Sequence, residues 1–347
     1  MSNISFSLCD KEKKPELLNF IKNHWSKDHI FLNSDKLLNW QHLNKEEKYN
    51  FWLAYDDKLN RILGILGFIP TSQFSEQLES QKTFWLAIWK IDENHAPPGL
   101  GMMLLKTLIQ FLNVDILVGS GISELSKKFY NMLRYETGSL SQHFLINPDK
   151  EDFKILTKPR DLNFQIIDKS ESVLLELNKN NIYEKCKNNE HNIFVNAPKK
   201  NTEYMFNRYL DHPIYEYKVF GLMQDNKVNS IVVLREVSVD NSHAVRLIDF
   251  QGENKKLKLV VPNLVNMLIA ENYEYLDFIQ TGISETFLNE IGFLNLSDYA
   301  DVIVPNYFEP FTNRNITIDF CYKNFINDKK VYIFKGDSDQ DRPNLTV

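Results

Sequence analysis

A repeat constrains this chain more than any other feature. The residues Gly-Ile-Ser-Glu begin at Gly121 and again at Gly282, 161 positions later. Each copy follows a short apolar run and opens a segment of helical pattern, closed by an aromatic at Tyr135 or Phe293. Upstream, FWLAYDDKLNRILGILGF (51–68) matches VFGLMQDNKVNSIVVLRE (219–236): strand, polar turn, strand. WLAIWKI (85–91) then corresponds to AVRLIDF (244–250), and each is followed by a helix, expected over Gly99–Leu112 and Leu257–Glu271. Amphipathic helices are expected ahead of these strands, over Pro15–Trp25 and Asp35–Gln41 in one half and over Ser170–Lys179 and Lys200–Leu210 in the other. The order predicts an α/β fold with a mixed sheet in each of two tandem halves. The charged, proline-containing stretch 147–163 marks the boundary, giving domains 1–158 and 159–347.

Composition narrows the function classes. At 347 residues and 43% apolar content the chain has enough material for two packed cores. Its net charge of −6 argues against nucleic acid as a main partner. Three well-separated cysteines, Cys9, Cys186 and Cys321, read as reduced thiols. The opening residues carry no apolar leader and no segment is long enough to span a membrane, so the expected location is the cytoplasm. No metal-ligand spacing appears among the eight histidines; His95 and His143 are candidate bases.

The stretch 85–112 carries the most chemistry. A strand enters a polar turn, then Pro97-Pro98-Gly99-Leu100-Gly101, then an amphipathic helix. Glycine permits close approach to the main chain, and the first helical turn offers unpaired N–H groups and the positive end of the helix dipole. Strand, Gly-x-Gly and helix thus form either an anion cradle or a tight turn needing one glycine.

These elements, with the next strand and SKKFYNMLRY, resemble the GNAT superfamily of acyl-CoA-dependent N-acyltransferases over Ile4 to Asn147. The resemblance implies that the loop Pro98, Gly99, Leu100, Gly101 and Met102 binds the coenzyme pyrophosphate. It also implies that Trp89, Lys90 and Ile91 bind the pantetheine along their strand. The Arg/Gln that opens the family loop is replaced by Ala96, and the Gly-Phe after its later helix by Arg134-Tyr135. Tyr130 matches the family tyrosine that protonates the departing thiolate; the alternative is a packed helix aromatic. Glu124 is a second catalytic candidate, alternatively explained as an acid in a first turn capped by Ser123. The second half keeps the order but lacks both loop and tyrosine, so it reads as a degenerate GNAT-like copy walling an acceptor groove.

Two later segments stand out. VPNYFEPF (304–311) offers Asn306, Tyr307 and Glu309 for a sugar-like acceptor, or is a strand-end loop with aromatic anchors. KGDSDQDRPN (335–344) begins like a calcium loop but has Arg342 where glycine is required, so it is either an ion-pair network or a segment ordering an acceptor. Together these features resemble tandem GNAT-like proteins of bacterial surface-polysaccharide gene clusters. The implied activity is transfer of an acyl group, most simply acetyl, from acetyl-CoA or another acyl-CoA to an amino sugar or nucleotide-linked amino sugar. The alternatives are a Fem-like aminoacyltransferase and a non-catalytic module binding a glycan or partner protein.

Overall fold

The computed structural model describes residues 4–159, Leu162 and 172–344. Its strands are β1 (Ile4–Asp10), β2 (Lys48–Asp56), β3 (Arg61–Pro70), β4 (Thr83–Ile91), β5 (Ile116–Ser120), β6 (Glu136–Ser139), β7 (Ser141–Ile146) and β8 (Val173–Leu177). Then come β9 (Lys218–Gln224), β10 (Lys227–Val239), β11 (Ser242–Gln251), β12 (Tyr275–Thr281), β13 (Leu294–Asn295), the small hairpin β14 (Tyr307–Phe308) and β15 (Phe311–Thr312), β16 (Asp319–Asn324) and β17 (Ile333–Phe334). The helices are α1 (Lys14–His24), α2 (Asp35–His42), α3 (Leu100–Leu112), α4 (Glu124–Met132), α5 (Ile182–Cys186), α6 (Glu190–Ile193), α7 (Thr202–Met205), α8 (Leu257–Ala270) and α9 (Glu285–Glu290).

Local sequence explains the shared pieces. The β9–β10 turn is Asp225-Asn226, both at positive φ, the two-residue turn that matches strand twist. Leu100, Leu104, Leu105 and Leu108 form one buried stripe on α3, and Leu257, Val260, Val261, Leu264 and Leu268 do so on α8. Ser123 caps α4 by accepting from the Ser126 N–H, and Ser284 caps α9 by accepting from the Phe287 N–H. The repeated Gly-Ile-Ser-Glu is therefore a strand exit followed by a helix cap, used twice.

The two sheets have the same order. The first runs β1-β2-β3-β4-β5-β16-β6 and the second β8-β9-β10-β11-β12-β7-β13, with β17 as an eighth strand paired antiparallel to β12 and without a counterpart in the first. Each has one parallel pair, β4 with β5 and β11 with β12. The strand beside β5 comes from the far end of the chain, and the strand beside β12 comes from the first half. The halves exchange strands across the expected division at 158/159: sheet membership changes at Leu140, and residues 154–156 donate their N–H groups to Glu274. Pairing across the molecule, not chain order, decides which sheet each short strand joins. A continuous apolar layer between the sheets includes Ile69, Trp85, Ile116 and Val118 on one side and Val219, Ile231, Val233 and Ile248 on the other.

One expected helix is corrected. Val173–Leu177, inside the helix expected over Ser170–Lys179, is strand β8 and occupies the edge place that β1 holds in the first sheet; Ser170 and Glu171 lie outside the described residues. Five residues before an Asn-Lys-Asn turn are too few for a helix to repay its nucleation. The helix expected over Lys200–Leu210 is α7 followed by a π-helical turn, Phe206–Leu210. Among the described residues no helix is long and apolar enough to cross a membrane.

Candidate functional site

The site is organised by a fault in each sheet. β4 carries one extra residue opposite Gly67, so its register with β3 shifts between Leu66 and Phe68. Its parallel pairing with β5 ends at Leu86 opposite Gly119, while the strand continues to Ile91 against β3 alone. In the second half, Ile248 is the extra residue on β11, and pairing with β12 ends at Leu247, 161 positions beyond Leu86. A bulge bends its strand, and here each bulge begins where two parallel strands part.

The first split is open and the second is filled. Beyond Leu86, residues Trp89, Lys90 and Ile91 remain half-buried. In the second half, Lys335 donates its N–H to Ile279 O at 3.2 Å and Gly336 donates its N–H to Ile248 O at 2.9 Å, bridging β12 and β11. A Cβ on Gly336 would lie 2.5 Å from Ile248 Cγ2 and 3.0 Å from Ile248 O, so only glycine fits. Lys200, itself buried, holds this insertion, with Nζ 2.6 Å from Asp249 and 2.7 Å from Asp337. Burial alone would lower the Lys200 pKa; the two carboxylates outweigh it and hold the pKa raised.

Over the first split sits the Gly-x-Gly loop. The Asp92 carboxylate accepts from the Asn94 N–H and contacts His95 Nδ1 at 2.8 Å, and its carbonyl accepts from the N–H groups of His95 and Ala96. This closes the strand exit without the arginine or glutamine that Ala96 replaces. Gly99 is the N-cap of α3 at φ +84°, with open space where a Cβ would stand. Leu100 N–H is spent on Pro97 O, and Pro98 has no N–H, which removes both as donors. The amides of Gly101 and Met102 remain as orphan donors of the first turn. The loop therefore fits an anion through main-chain groups of Gly101 and Met102.

The structure separates the two catalytic candidates. Tyr130 is 1% exposed, in a ring cluster with Tyr135 at 5.0 Å, Trp89 at 5.8 Å and Phe129 at 5.9 Å. Burial, followed by the neighbouring Cys321 and Tyr135, pushes its pKa well above the usual phenol value, so it stays protonated at neutral pH. The Trp89 indole lies between this cluster and α3, 3.5 Å from where a Gly101 Cβ would stand. Glu124 is turned to solvent and paired with Lys128 at 2.7 Å. Its first-turn position and this i,i+4 pair account for it without a catalytic role. Lys90 pairs with Glu93. His143 is buried on β7 and is not at the first split.

Asn306, Tyr307 and Glu309 do converge, around a narrow recess shared with Arg235, Arg246, Lys335 and Gln340. The Glu309 carboxylate accepts from Tyr215 Oη at 2.7 Å and from the Asn344 N–H at 3.0 Å. Asn306 Nδ2 donates to Ile316 O, and the Asn306 main-chain carbonyl accepts from Arg246. The 335–344 segment is an ion-pair network. Asp341 accepts a bidentate pair from Arg235 at 2.7 and 2.8 Å, and Arg342 pairs with Asp339 at 2.7 Å. Among the described residues no carboxylate, histidine and cysteine cluster suits a metal ion. This segment also reaches the first split: Ser338 Oγ donates to Leu86 O at 2.8 Å and Gln340 Nε2 to Ser120 O at 3.0 Å. Sequence reasoning missed Arg235 and Arg246, and it singled out the segment 335–344 without naming Lys335 or Gln340.

Next to the recess lies a polar cavity of about 660 Å³ lined by Tyr209, His212, Tyr215, Tyr217 and Glu236 among others. Another, of about 420 Å³, lies at the opposite end of β4 beside Thr83 and Phe84, away from the split.

Two sheets of identical strand order, each with a bulged and splayed parallel pair and a helix entering behind it, define a tandem GNAT-like fold whose second copy is degenerate. Solved structures agree. A GCN5-related N-acetyltransferase from Anabaena variabilis ATCC 29413 matches with a TM-score of 0.56 at 12% identity, over 93% of this chain and 73% of its own. A GCN5-related N-acetyltransferase from Kribbella flavida matches with a TM-score of 0.53 at 7% identity, over 92% and 71%. At these identities the likeness establishes the fold. No family model and no curated protein matches the sequence.

Proposed function

We propose that the protein is an N-acyltransferase that binds an acyl-CoA in the first half and passes its acyl group to an amine held between the halves. The observation that carries this reading is the open split of β4 and β5 with the N-terminus of α3 beside it. The opening leaves residues Ala87–Ile91 unpaired on one edge, and a strand edge recognises an extended amide chain by its own N–H and C=O groups. The orphan amides of Gly101 and Met102 suit a pyrophosphate. A strand N–H at the split serves the thioester carbonyl oxygen, where negative charge develops during attack. Tyr130, held protonated by burial, is the acid that returns a proton to sulfur.

The acceptor in this reading is an amino sugar or a nucleotide-linked amino sugar, used in building a cell-surface glycan, and the enzyme works in the cytoplasm. The polar cavity beside the recess supports it through its combination of ring faces and carboxylates: Tyr215 stacks on His212 with centroids 5.4 Å apart, and Glu176, Glu216 and Glu236 line the same space. Such a lining offers apolar faces to a sugar ring and hydrogen bonds to its hydroxyls.

Thermal denaturation with and without acetyl-CoA tests the donor site. At one hundred times its dissociation constant the ligand adds about 2.7 kcal/mol to stability. Gly101→Val is the control, because its Cβ meets Trp89 only at ordinary contact distance, so the fold tolerates the change while the approach of a phosphate is obstructed. Stabilisation of the wild type and none of the variant is expected. No response of the wild type to acetyl-CoA or longer acyl-CoAs overturns the reading and leaves a glycan- or partner-binding module.

A further inference from the structure

Within the recess beside the first split, the cations are not equivalent. Arg235 is matched by Asp341, Arg246 by Asp277 and Arg342 by Asp339, each at 2.6 to 2.9 Å. Lys335 has no such match. It is 2% exposed, and no hydrogen bond or ion pair reaches its Nζ among the described residues. Its recorded neighbour is the Tyr307 ring, with the centroid 4.7 Å away. Two buried amide oxygens in the same lining, Asn306 Oδ1 and Gln340 Oε1, also lack a donor. Buried polar groups are ordinarily paired, so each unpaired one calls for a partner that the protein chain does not supply.

The three groups share one chemical need once Lys335 is neutral. A neutral amine and two amide oxygens all accept hydrogen bonds, and a primary ammonium presents three N–H donors. Location gives the match a use. Gln340 lines the recess and also donates to Ser120 O, at the end of the strand that leaves β4, so one side chain spans from the recess to the split. Resting on the acyltransferase reading, we propose that Lys335 is the general base of the transfer, removing a proton from the ammonium of an amine acceptor that occupies the adjoining polar cavity and places its nitrogen in this recess.

The proton inventory is consistent. The acceptor enters as R–NH3+ and gives one proton to the Lys335 amine, which frees the lone pair. Nitrogen attacks the thioester carbonyl carbon of the acyl-CoA, the C–N bond forms, and the C–S bond breaks. A second nitrogen proton replaces the one delivered to sulfur, leaving an amide N–H and a free thiol. Lys335 then returns its proton to water.

The surroundings put the amine in the required state. Burial pushes the Lys335 pKa down to about 7 and the Arg246 guanidinium acts in the same direction, with Asp341 and Asp277 opposing and Arg235 again lowering. Tyr215, Tyr307, Glu309 and Arg342 complete the titratable and charged lining. A base titrating near the working pH combines a useful neutral fraction with proton affinity.

The test uses the full chain with acetyl-CoA and glucosamine as probes. Acetyl transfer is followed from pH 5.5 to 9 in the wild type, Lys335→Met and Lys335→Arg. Acetyl-CoA affinity is measured in all three, and labelling of Lys335 by an amine reagent is read by mass spectrometry with and without glucosamine. The expected wild-type kcat/KM rises with pH through a midpoint near 7. Both variants should lose about a hundredfold or more, together with that limb, while acetyl-CoA affinity stays within about twofold. Glucosamine should protect Lys335 from the reagent. Full activity in Lys335→Arg would show that a fixed cation suffices and overturns the base, as does an unchanged rate and limb in Lys335→Met. A wild type that binds acetyl-CoA but neither acetylates glucosamine nor gains protection of Lys335 from it overturns the assignment of an amine to this recess. Failure to bind acetyl-CoA at all overturns the underlying acyltransferase reading instead.

Discussion

In the first half β4 runs on from Leu86 to Ile91 with only β3 beside it, and its last three residues stay half-buried. In the second half β11 runs on from Leu247 to Gln251 fully buried, because Lys335 and Gly336 are threaded between it and β12. Both strands are bulged and both leave their parallel partner at leucines 161 positions apart. Strand edges in a split sheet present N–H and C=O groups that require partners. One half supplies the partner from its own chain; in the other the edge has no strand partner among the described residues. The glycines of the two repeats are alike in this respect: a Cβ on Gly282 would lie 2.4 Å from Tyr332, and one on Gly121 would lie 2.3 Å from Gln340, so the two strand exits pack on successive parts of one C-terminal segment.

The largest expected effect comes from pulling the plug out of the second split. Lys200→Met leaves Asp249 and Asp337 buried without their shared cation, although Asp249 keeps hydrogen bonds from Tyr209 and Gln251. Removing one partner of a buried ion pair costs about 3–5 kcal/mol. Urea denaturation should show a loss of that size. A loss below about 1 kcal/mol would mean that the backbone bonds of Gly336, not the ion cluster, hold the segment.

The next effect concerns activity at the open split. Tyr130→Phe keeps the ring that packs against Trp89 and Tyr135 and removes only the hydroxyl. If Tyr130 is the acid, turnover falls by about a hundredfold or more while acetyl-CoA affinity and melting temperature change little. The corresponding helix of the second half carries Phe287 and Leu288 and no tyrosine, as expected of a copy without chemistry. Wild-type turnover in the variant, with chemistry rate-limiting, would make Tyr130 a core aromatic.

Much of this comparison was legible in the sequence, and what was not has an identifiable cause. Gly-Ile-Ser-Glu and its flanking strands carried the repeat because caps and hairpin turns are local. Gly99 and Gly101 marked the loop because a left-handed N-cap and an unobstructed helix start demand particular residues. Strand exchange left no trace, since SQHFLI and DFCYKN pair with residues more than a hundred positions away and their own patterns suit either sheet. The segment 335–344 reads either as an ion-pair network or as a segment ordering an acceptor, and in the fold its Asp337 and Asp341 are buried. Charge can be buried when it is paired, and the partners Lys200 and Arg235 are distant in sequence. Asn306, Tyr307 and Glu309 stand out by side-chain type, whereas Gln340 stands out only by what it bridges.

The smallest effect separates the exchanged strands themselves. His143 on β7 pairs with Phe278, where β12 leaves β11, and Cys321 on β16 pairs with Gly119, where β5 leaves β4, so the two hold equivalent places in the two sheets. Cys321 is a buried thiol. His143 is fully buried with neither ring nitrogen partnered among the described residues. Burial pushes its pKa down to about 4, against a raising influence from Asp298. Between about pH 6.5 and pH 4 the unfolded chain therefore takes up a proton that the folded chain refuses, so this residue makes stability fall as pH falls. From pH 8 to pH 5 the contribution is about 2 kcal/mol. His29, His42 and His212, pushed down to about 3, act with the same sign, so the wild type is acid-sensitive for several reasons. The informative quantity is thus the difference between the wild type and His143→Leu. The variant should be nearly as stable as the wild type at pH 8 and more stable by about 2 kcal/mol at pH 5. An equal difference at both pH values would show that His143 is protonated in the folded protein and that the exchanged strand of the second sheet is open to water at this point.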